Sequence, residues 1–325
     1  MRFLLESEHN DLADTVDALL GKADVPAAIR SWSDGDRSAA LSAWQQLTET
    51  GITGLLVPDE NGGSGAGVLE TVVAIEQIGK HALPGPVVET IAVAPALLTG
   101  TPAAGSLSAL AEGELATVAM LPHAPYAVNT EASPTALLVD GGTVYRGTPG
   151  AVHNSVDATR TVAKLDRGEE VTDAADVERA FNIGALATAA QLIGLGQRML
   201  DIATEYAKTR KQYGVEIGSY QAIKHQLADV SIAIEMARPL IYGAALDLDG
   251  ATADPTWATR DVSAAKVACG DAAYRASRTG LQVLGAIGYT MEHDLSLYLT
   301  KTKALLTAWG TPAFHRQRLL AEVTA

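Results

Sequence analysis

The sequence predicts a mainly helical protein with a small β domain set between two helical regions. Long alanine-rich stretches with apolar residues at helical spacing fill both ends of the chain. Between them, short runs of β-branched and small residues alternate with Gly-Gly and Pro. Two glycine-containing interruptions, Arg210 to Gln221 (RKQYGVEIGSYQ) and Gln282 to Thr290 (QVLGAIGYT), divide the long helical patterns of the C-terminal half. With 325 residues the chain is long enough for two or three domains with sizeable cores.

Residues 1–112 form the expected N-terminal helical domain. Leu12, Val16, Leu19 and Leu20 share one face of a first helix over residues 5–22. Asp34 or Asp36 caps the next, which turns Trp44 and Leu47 inward. The apolar run Leu55–Val57 stops at Pro58, and the Asn- and Gly-rich segment that follows reads as a loop. A helix over Val68–His81 buries Val72, Val73, Ile75 and Ile78, with His81 as a cation suited to its C-terminal dipole. After Pro84 and Pro86, a further helix spans Val87–Leu98. Residues 113–172 form the small β domain, carried by ATVAML, ALLVDGGTVYRG and RTVAKL, with a hairpin at Asp140-Gly141-Gly142. Residues 173–325 form a C-terminal four-helix bundle of up-and-down type. Its long helices are Val177–Thr209, Gln221–Leu248 and Trp257–Leu284, and shorter ones cover Asp294–Trp309 and Phe314–Val323. The ATAD stretch from Ala251 to Asp254 is an ordinary loop.

A net charge of −14 argues against a general nucleic-acid or anionic-membrane binder. The single cysteine, Cys269, excludes an intramolecular disulfide and reads as a small buried apolar residue. No metal-ligand spacing is present. No apolar run approaches a membrane span, and the start MRFLLESEHN is too acidic and short for a signal peptide, so a soluble cytoplasmic protein is expected. A permanently charged Arg beside a Tyr and two glycines in one link between long helices suits an anionic cofactor better than a plain helical hairpin.

In order along the chain, VPDENGGSGAG, YAKTRKQYG, QAIKHQLAD and QVLGAIGYTMEHDLSLYLTKTKA resemble the signatures of acyl-CoA dehydrogenases. The resemblance covers nearly the whole chain and is densest from Gln197 onward. It implies FAD chemistry, in which a carboxylate removes the α-proton of an acyl-CoA thioester while hydride leaves the β-carbon for the flavin. It also implies a tetramer in which each FAD lies between two subunits. One subunit's β domain holds the isoalloxazine, and the neighbour's bundle holds the ADP end. By the resemblance Arg210 contacts the pyrophosphate, as befits a planar, always charged fork. Gln212, Tyr213, Tyr220 and Gln221 fall on the adenosine half, although Tyr213 reads equally well as core. Gln282, Gly285 and Ala286 make the next ADP contact, with Ala286 standing where the family usually has a second glycine.

The chain departs from the family at the base. The turn before the last helix, where many members carry glutamate, reads Ala308-Trp309-Gly310-Thr311, and indole is no base. The alternative base position early in the first bundle helix is Gly184, beside Ala185. Glu178 lies roughly one and a half turns too early and reads as a surface residue at a helix start. Leu121-Pro122-His123 stands where the family has the Thr-Glu-Pro segment that cradles flavin and substrate. TEASPT at Thr130 is a lookalike in the wrong place, and much of the hairpin that would carry a flavin-stacking aromatic is missing. His123 and His153 read as solvated loop histidines.

The expectation is therefore a non-catalytic subunit that shares FAD with a full-length catalytic paralogue in an α2β2 heterotetramer. It resembles the short subunits of actinobacterial acyl-CoA dehydrogenases, some of which act on steroid side-chain CoA thioesters; by this expectation the partner binds most of the acyl-CoA. Two alternatives stand beside it: a self-sufficient homomeric dehydrogenase using Glu178 or another base, and a structural or regulatory paralogue that binds no flavin.

Overall fold

The computed structural model describes residues 5–252 and 255–324. Six helices come first: α1 (Ser7–Lys22), α2 (Val25–Ser33), α3 (Ser38–Glu49), α4 (Val68–His81), α5 (Ala94–Leu98) and α6 (Leu107–Ala111). A five-stranded sheet follows, made of β1 (Ala116–Met120), β2 (Ala127–Val128), β3 (Thr135–Asp140), β4 (Thr143–Asn154) and β5 (Thr161–Thr172). The remainder is helical: α7 (Val177–Thr209), α8 (Gln221–Leu248), α9 (Ala258–Leu284), α10 (Leu295–Leu305) and α11 (Pro312–Thr324). A two-stranded ribbon, β6 (Lys211–Gln212) with β7 (Val215–Glu216), joins α7 to α8. No described helix is long and apolar enough to cross a membrane.

The predicted faces hold. Val16, Leu20, Trp44, Leu47, Val72, Val73, Ile75 and Ile78 are all buried. Neither proposed cap is the N-cap residue of α3, which is Arg37: Asp34 ends α2, and Asp36, one residue earlier than the cap, accepts the Ser38 amide at 2.9 Å. Helix α2 was not foreseen; Asp24 starts it by accepting the Ala27 amide. His81 ends α4, as expected, and its ring also meets Asp17 of α1 at 2.7 Å. The helix expected over Val87–Leu98 opens with a π-helical turn, Glu89–Val93, before settling into α5. Trp309 lies beyond the end of α10 rather than in it. The Ala251–Asp254 loop falls partly outside the described residues.

The sheet order is β1-β3-β4-β5-β2. Strands β1 and β3 are parallel, and the other pairs are antiparallel. Gly141 and Gly142 both take positive φ, 61° and 92°, which is what a two-residue turn between β3 and β4 demands. Strands β4 and β5 are twelve residues each, longer than the short runs in the sequence suggest, with exposed stretches over residues 148–154 and 166–170. Bulges interrupt their pairing, and His153 is an exposed residue of β4 rather than of a loop.

One apolar core runs from the N-terminal helices into the bundle. Helices α4 and α7 cross with their backbones almost touching: a Cβ on Gly194 would lie 1.9 Å from the Glu76 carbonyl, and one on Gly79 2.4 Å from that of Gln191. Glycine is required at both places because only hydrogen fits. The two regions are also pinned by polar groups. Asp249, just past α8, accepts the first α4 amides, Val68 at 2.9 Å and Leu69 at 3.2 Å. Arg238 of α8 binds the buried Glu76 of α4 at 2.9 Å.

The sheet is fastened separately. Thr90, in the π-helical turn, bonds both the amide and the carbonyl of Ala116 where β1 begins. At the far end, Lys301 of α10 meets Asp157 at 3.1 Å, with side chains only 7% and 4% exposed. Burial alone would raise the Asp157 carboxyl, but the Lys301 ammonium and two bonds from Thr159 outweigh it and hold it below the usual range. The turn before α11 is fixed from behind. Lys266 donates to the carbonyls of Leu305 and Leu306, and the fully buried His315 donates Nε2–H to the Trp309 carbonyl at 2.8 Å. Burial pushes His315 down to about 4 despite that bond.

Two outcomes follow. Lys301→Met, which strands the buried Asp157 carboxylate, should cost about 3–5 kcal/mol in urea unfolding, and adding Asp157→Leu should recover most of it. His315 is neutral when folded, with a pKa of about 4 against about 6.5 unfolded, so its stabilisation is complete above pH 6.5 and lost as pH falls through 4. Up to about 3 kcal/mol should disappear across that window. In His315→Gln the stability curve should be flatter there.

Candidate functional site

Two places gather the residues singled out in the sequence. The first is a pocket of about 910 Å³ where the end of α7, the β6–β7 ribbon and the end of α9 meet. Arg210, Gln212, Tyr220, Gln282, Gly285 and Ala286 all line it. The Ile217 amide donates to the Arg210 carbonyl at 2.8 Å, folding the link back on itself. Tyr220 donates its hydroxyl to the Gln212 carbonyl at 3.3 Å. Gly285 stops α9 with φ 61° and ψ −135°, a conformation open to glycine and costly for other residues. Nothing lies within 4 Å of where its Cβ would be, so backbone conformation, not close packing within this chain, requires the glycine. Val283, Leu284 and Ile223 give the pocket an apolar floor.

Arg210 is exposed, and among the described residues its guanidinium has no acidic partner. A surface ion pair would have accounted for the residue without a ligand; none is present. Gln221 is the first residue of α8, exposed and outside this lining. Tyr213 is not core: it is 95% exposed at the tip of the ribbon, with φ 51°. The free cation, two amides, tyrosines and apolar floor form a donor set that fits the nucleotide end of FAD.

The second place contains the two positions that the resemblance marks for the base. They face each other. Trp309 is 3% exposed and takes φ 53°. Its indole lies so close to Gly184 that a Cβ there would come within 2.7 Å of the ring. Any side chain at 184, a carboxylate included, collides with Trp309. The indole N–H donates to Glu89 at 3.0 Å. Glu89 is 4% exposed and comes from the π-helical turn. Beside this group, bounded also by Asn129, Arg160, Gln191 and Lys301, only about 10 Å³ is free, room for one water molecule at most.

Glu89 was missed in the sequence. The signal was an acidic residue inside an otherwise apolar helical run, which implies a buried donor elsewhere. A neighbouring cleft between the loop after β1 and the bundle, lined by His123, Tyr126, Arg160 and Trp309, holds about 190 Å³. That is below the range of about 300–1,000 Å³ usual for sites that enclose a drug-sized ligand. His123 is exposed, as expected, and its ring also stacks on Phe314 with ring centres 3.9 Å apart. The segment at Thr130 is a short 3-10 turn whose Glu131 bonds Thr161. Glu178 lies at the start of α7, 70% exposed, paired with Arg318 at 3.3 Å and outside the Trp309 chamber. Among the described residues no acidic, His and Cys cluster could hold a metal.

Comparisons with known proteins agree along the chain. The family model described as "Acyl-CoA dehydrogenase, N-terminal domain" matches residues 6–114, and "Acyl-CoA dehydrogenase, C-terminal domain" matches residues 174–324. The acyl-CoA dehydrogenase IpdE2 of Mycobacterium tuberculosis is 31% identical over 320 residues, covering 97% of each chain. Among solved structures, the ChsE4-ChsE5 complex from Mycobacterium tuberculosis superposes with a TM-score of 0.83 at 22% identity, covering 100% of this chain and 99% of that one. A steroid ACAD, the G363A variant of Tcur3481-Tcur3483, gives a TM-score of 0.82 at 19% identity and covers 98% of both chains. The likeness to IpdE2 over nearly the full length, with both terminal domains matched, makes this chain a member of the acyl-CoA dehydrogenase family.

Proposed function

We propose that this chain is the non-catalytic subunit of a heteromeric FAD-dependent acyl-CoA dehydrogenase. The carrying observation is the contact between Trp309 and Gly184: both positions where the family places its base are taken, one by an indole and the other by a glycine beneath it. The roughly 10 Å³ free beside them counts against a thioester lying there. Glu89, the carboxylate at that spot, is committed to the indole N–H. Glu178 faces solvent elsewhere, which disfavours a self-sufficient enzyme built on it.

The pocket around Arg210 supports the other half of the reading. It has the volume and donors for the nucleotide end of a flavin whose ring lies in a partner. There Arg210 would hold the pyrophosphate, and Gln212, Tyr220, Gln282 and the backbone at Gly285–Ala286 would hold the adenosine side, with Gln221 at its edge. FAD, when bound, accepts the hydride from the β-carbon of the acyl thioester. The proton acceptor for the α-carbon comes from the partner, and this chain's part is to bind and orient the nucleotide. The ChsE4-ChsE5 complex supports an assembly of two related chains, read here as α2β2, and the steroid ACAD makes steroid side-chain CoA thioesters the first substrates to assay.

Arg210→Ala should lower the FAD content of the co-purified complex, with affinity falling about tenfold or more, while the two chains still co-elute. Unchanged FAD content would remove the nucleotide role and favour a structural paralogue. The plug has its own test. Trp309→Phe keeps an aromatic ring but leaves Glu89 buried without its donor, and should cost about 1–3 kcal/mol. Gly184→Ala should cost about as much through overpacking. Neither should reduce turnover by the intact complex, because neither residue touches substrate in this reading.

A further inference from the structure

Helix α8 packs on its neighbours by one face and leaves a second apolar stripe in solvent. Ile232, Met236 and Leu240 recur every four residues along that stripe, and Ile232 and Met236 are 60% and 72% exposed. They border a groove of about 430 Å³ that follows the seam between α8 and α9. On the α9 side the border is Asp271 and Arg275, and Ala268 and Ala272 are small enough to leave a hollow beside them. A single exposed apolar side chain is ordinary, but a stripe of them beside a hollow marks a contact surface. The groove shares no residue with the pocket around Arg210.

Helices α8 and α9 run in opposite directions, and the Cys269 thiol lies 3.9 Å from the Ala237 carbonyl. This register puts Asp229 and Arg275 at the same end of the groove, one on each helix. Both are exposed, and among the described residues neither makes an ion pair. Asp271, by contrast, already pairs with Arg316 at 2.9 Å. The face therefore carries each feature and its complement on opposite helices. An apolar stripe on α8 answers a hollow over alanines on α9, and an unpaired acid on α8 answers an unpaired cation on α9.

We infer that this face joins two copies of this chain about a two-fold axis running along the seam. Such an axis exchanges the two helices and keeps their ends in place. It lays Met236 of each copy over Ala268 and Ala272 of the other, and Asp229 of each beside Arg275 of the other. Every contact then occurs twice, as a self-complementary interface requires. A second copy supplies the matching hollow and charges without any further condition on its sequence. The contact goes beyond the subunit reading, and on the chain alone it stands without it. In the proposed heteromer it is the joint between two pairs of unlike chains.

The test is analytical ultracentrifugation of the full chain and of its co-purified complex. The full chain should be a dimer at about 10 µM. Met236→Glu, at an exposed position, should weaken that dimer about tenfold or more with the fold intact by circular dichroism. Asp229→Arg and Arg275→Asp should each weaken it too, because like charges then meet twice. Mixed in equal amounts, these two variants should dimerise again, since every Arg then faces an Asp; pairing within one chain cannot give that rescue. In the complex, Met236→Glu should halve the mass and leave FAD per pair of chains unchanged, which separates this test from that of Arg210. The inference is overturned if the full chain stays monomeric up to about 100 µM, or if the mixed variants associate no better than either alone. It is also overturned if Met236→Glu leaves the dimer or the complex intact, or releases the unlike chain.

Discussion

The centre of the helical half of this chain is organised by an indole ring packed against a glycine. Trp309 reaches Gly184 because the turn between α10 and α11 takes a left-handed conformation at Trp309 and at Gly310. That turn is held by Lys266 and His315 from behind and by the Glu89 carboxylate in front. The contact works only if residue 184 has no side chain. A tryptophan at one position thus imposes glycine at the other, so the two positions that the resemblance marks for a base are coupled.

The same geometry explains why a π-helical turn persists at Glu89–Val93. A continuous α-helix would carry its side chains at a different angle past this point. The π turn instead presents Glu89 to the indole and Thr90 to the start of β1. Irregular turns of this kind often mark functional positions. Here the irregularity serves a filled chamber and an interdomain joint. A buried Lys301–Asp157 pair fastens the other end of the sheet. The N-terminal helices are joined to the bundle by the glycine crossing of α4 and α7 and by Asp249 at the start of α4.

Much of this was legible in the sequence. Apolar periodicity located the long helices, and Asp140-Gly141-Gly142 located a hairpin with both glycines at positive φ. Arg210 lies some seventy residues from Gln282 and Gly285 yet lines one pocket with them, because the C-terminal ends of α7 and α9, which run in the same direction, come side by side. What the sequence hid were relations across space. Glu89 looked like one polar residue in an apolar helix until its donor at position 309 was found. His81 fitted a helix cap in one dimension and an Asp17 partner in three. Tyr213 was compatible with a core and is almost fully exposed, because the ribbon that bears it projects away from the helices. The length of β4 and β5 was obscured by bulges and by exposed polar residues that break the alternation expected of a strand.

A flavin in this account is shared between two unlike chains, and only one end of it rests here. The most direct measurement is the ratio of FAD to protein in the co-purified complex and in this chain alone, from flavin absorbance and quantitative amino-acid analysis. One FAD per pair of unlike chains, and none on this chain by itself, is the expected result. A second FAD per pair, or a flavin retained by this chain alone, would mean that its own chamber opens to hold one, and would contradict the account.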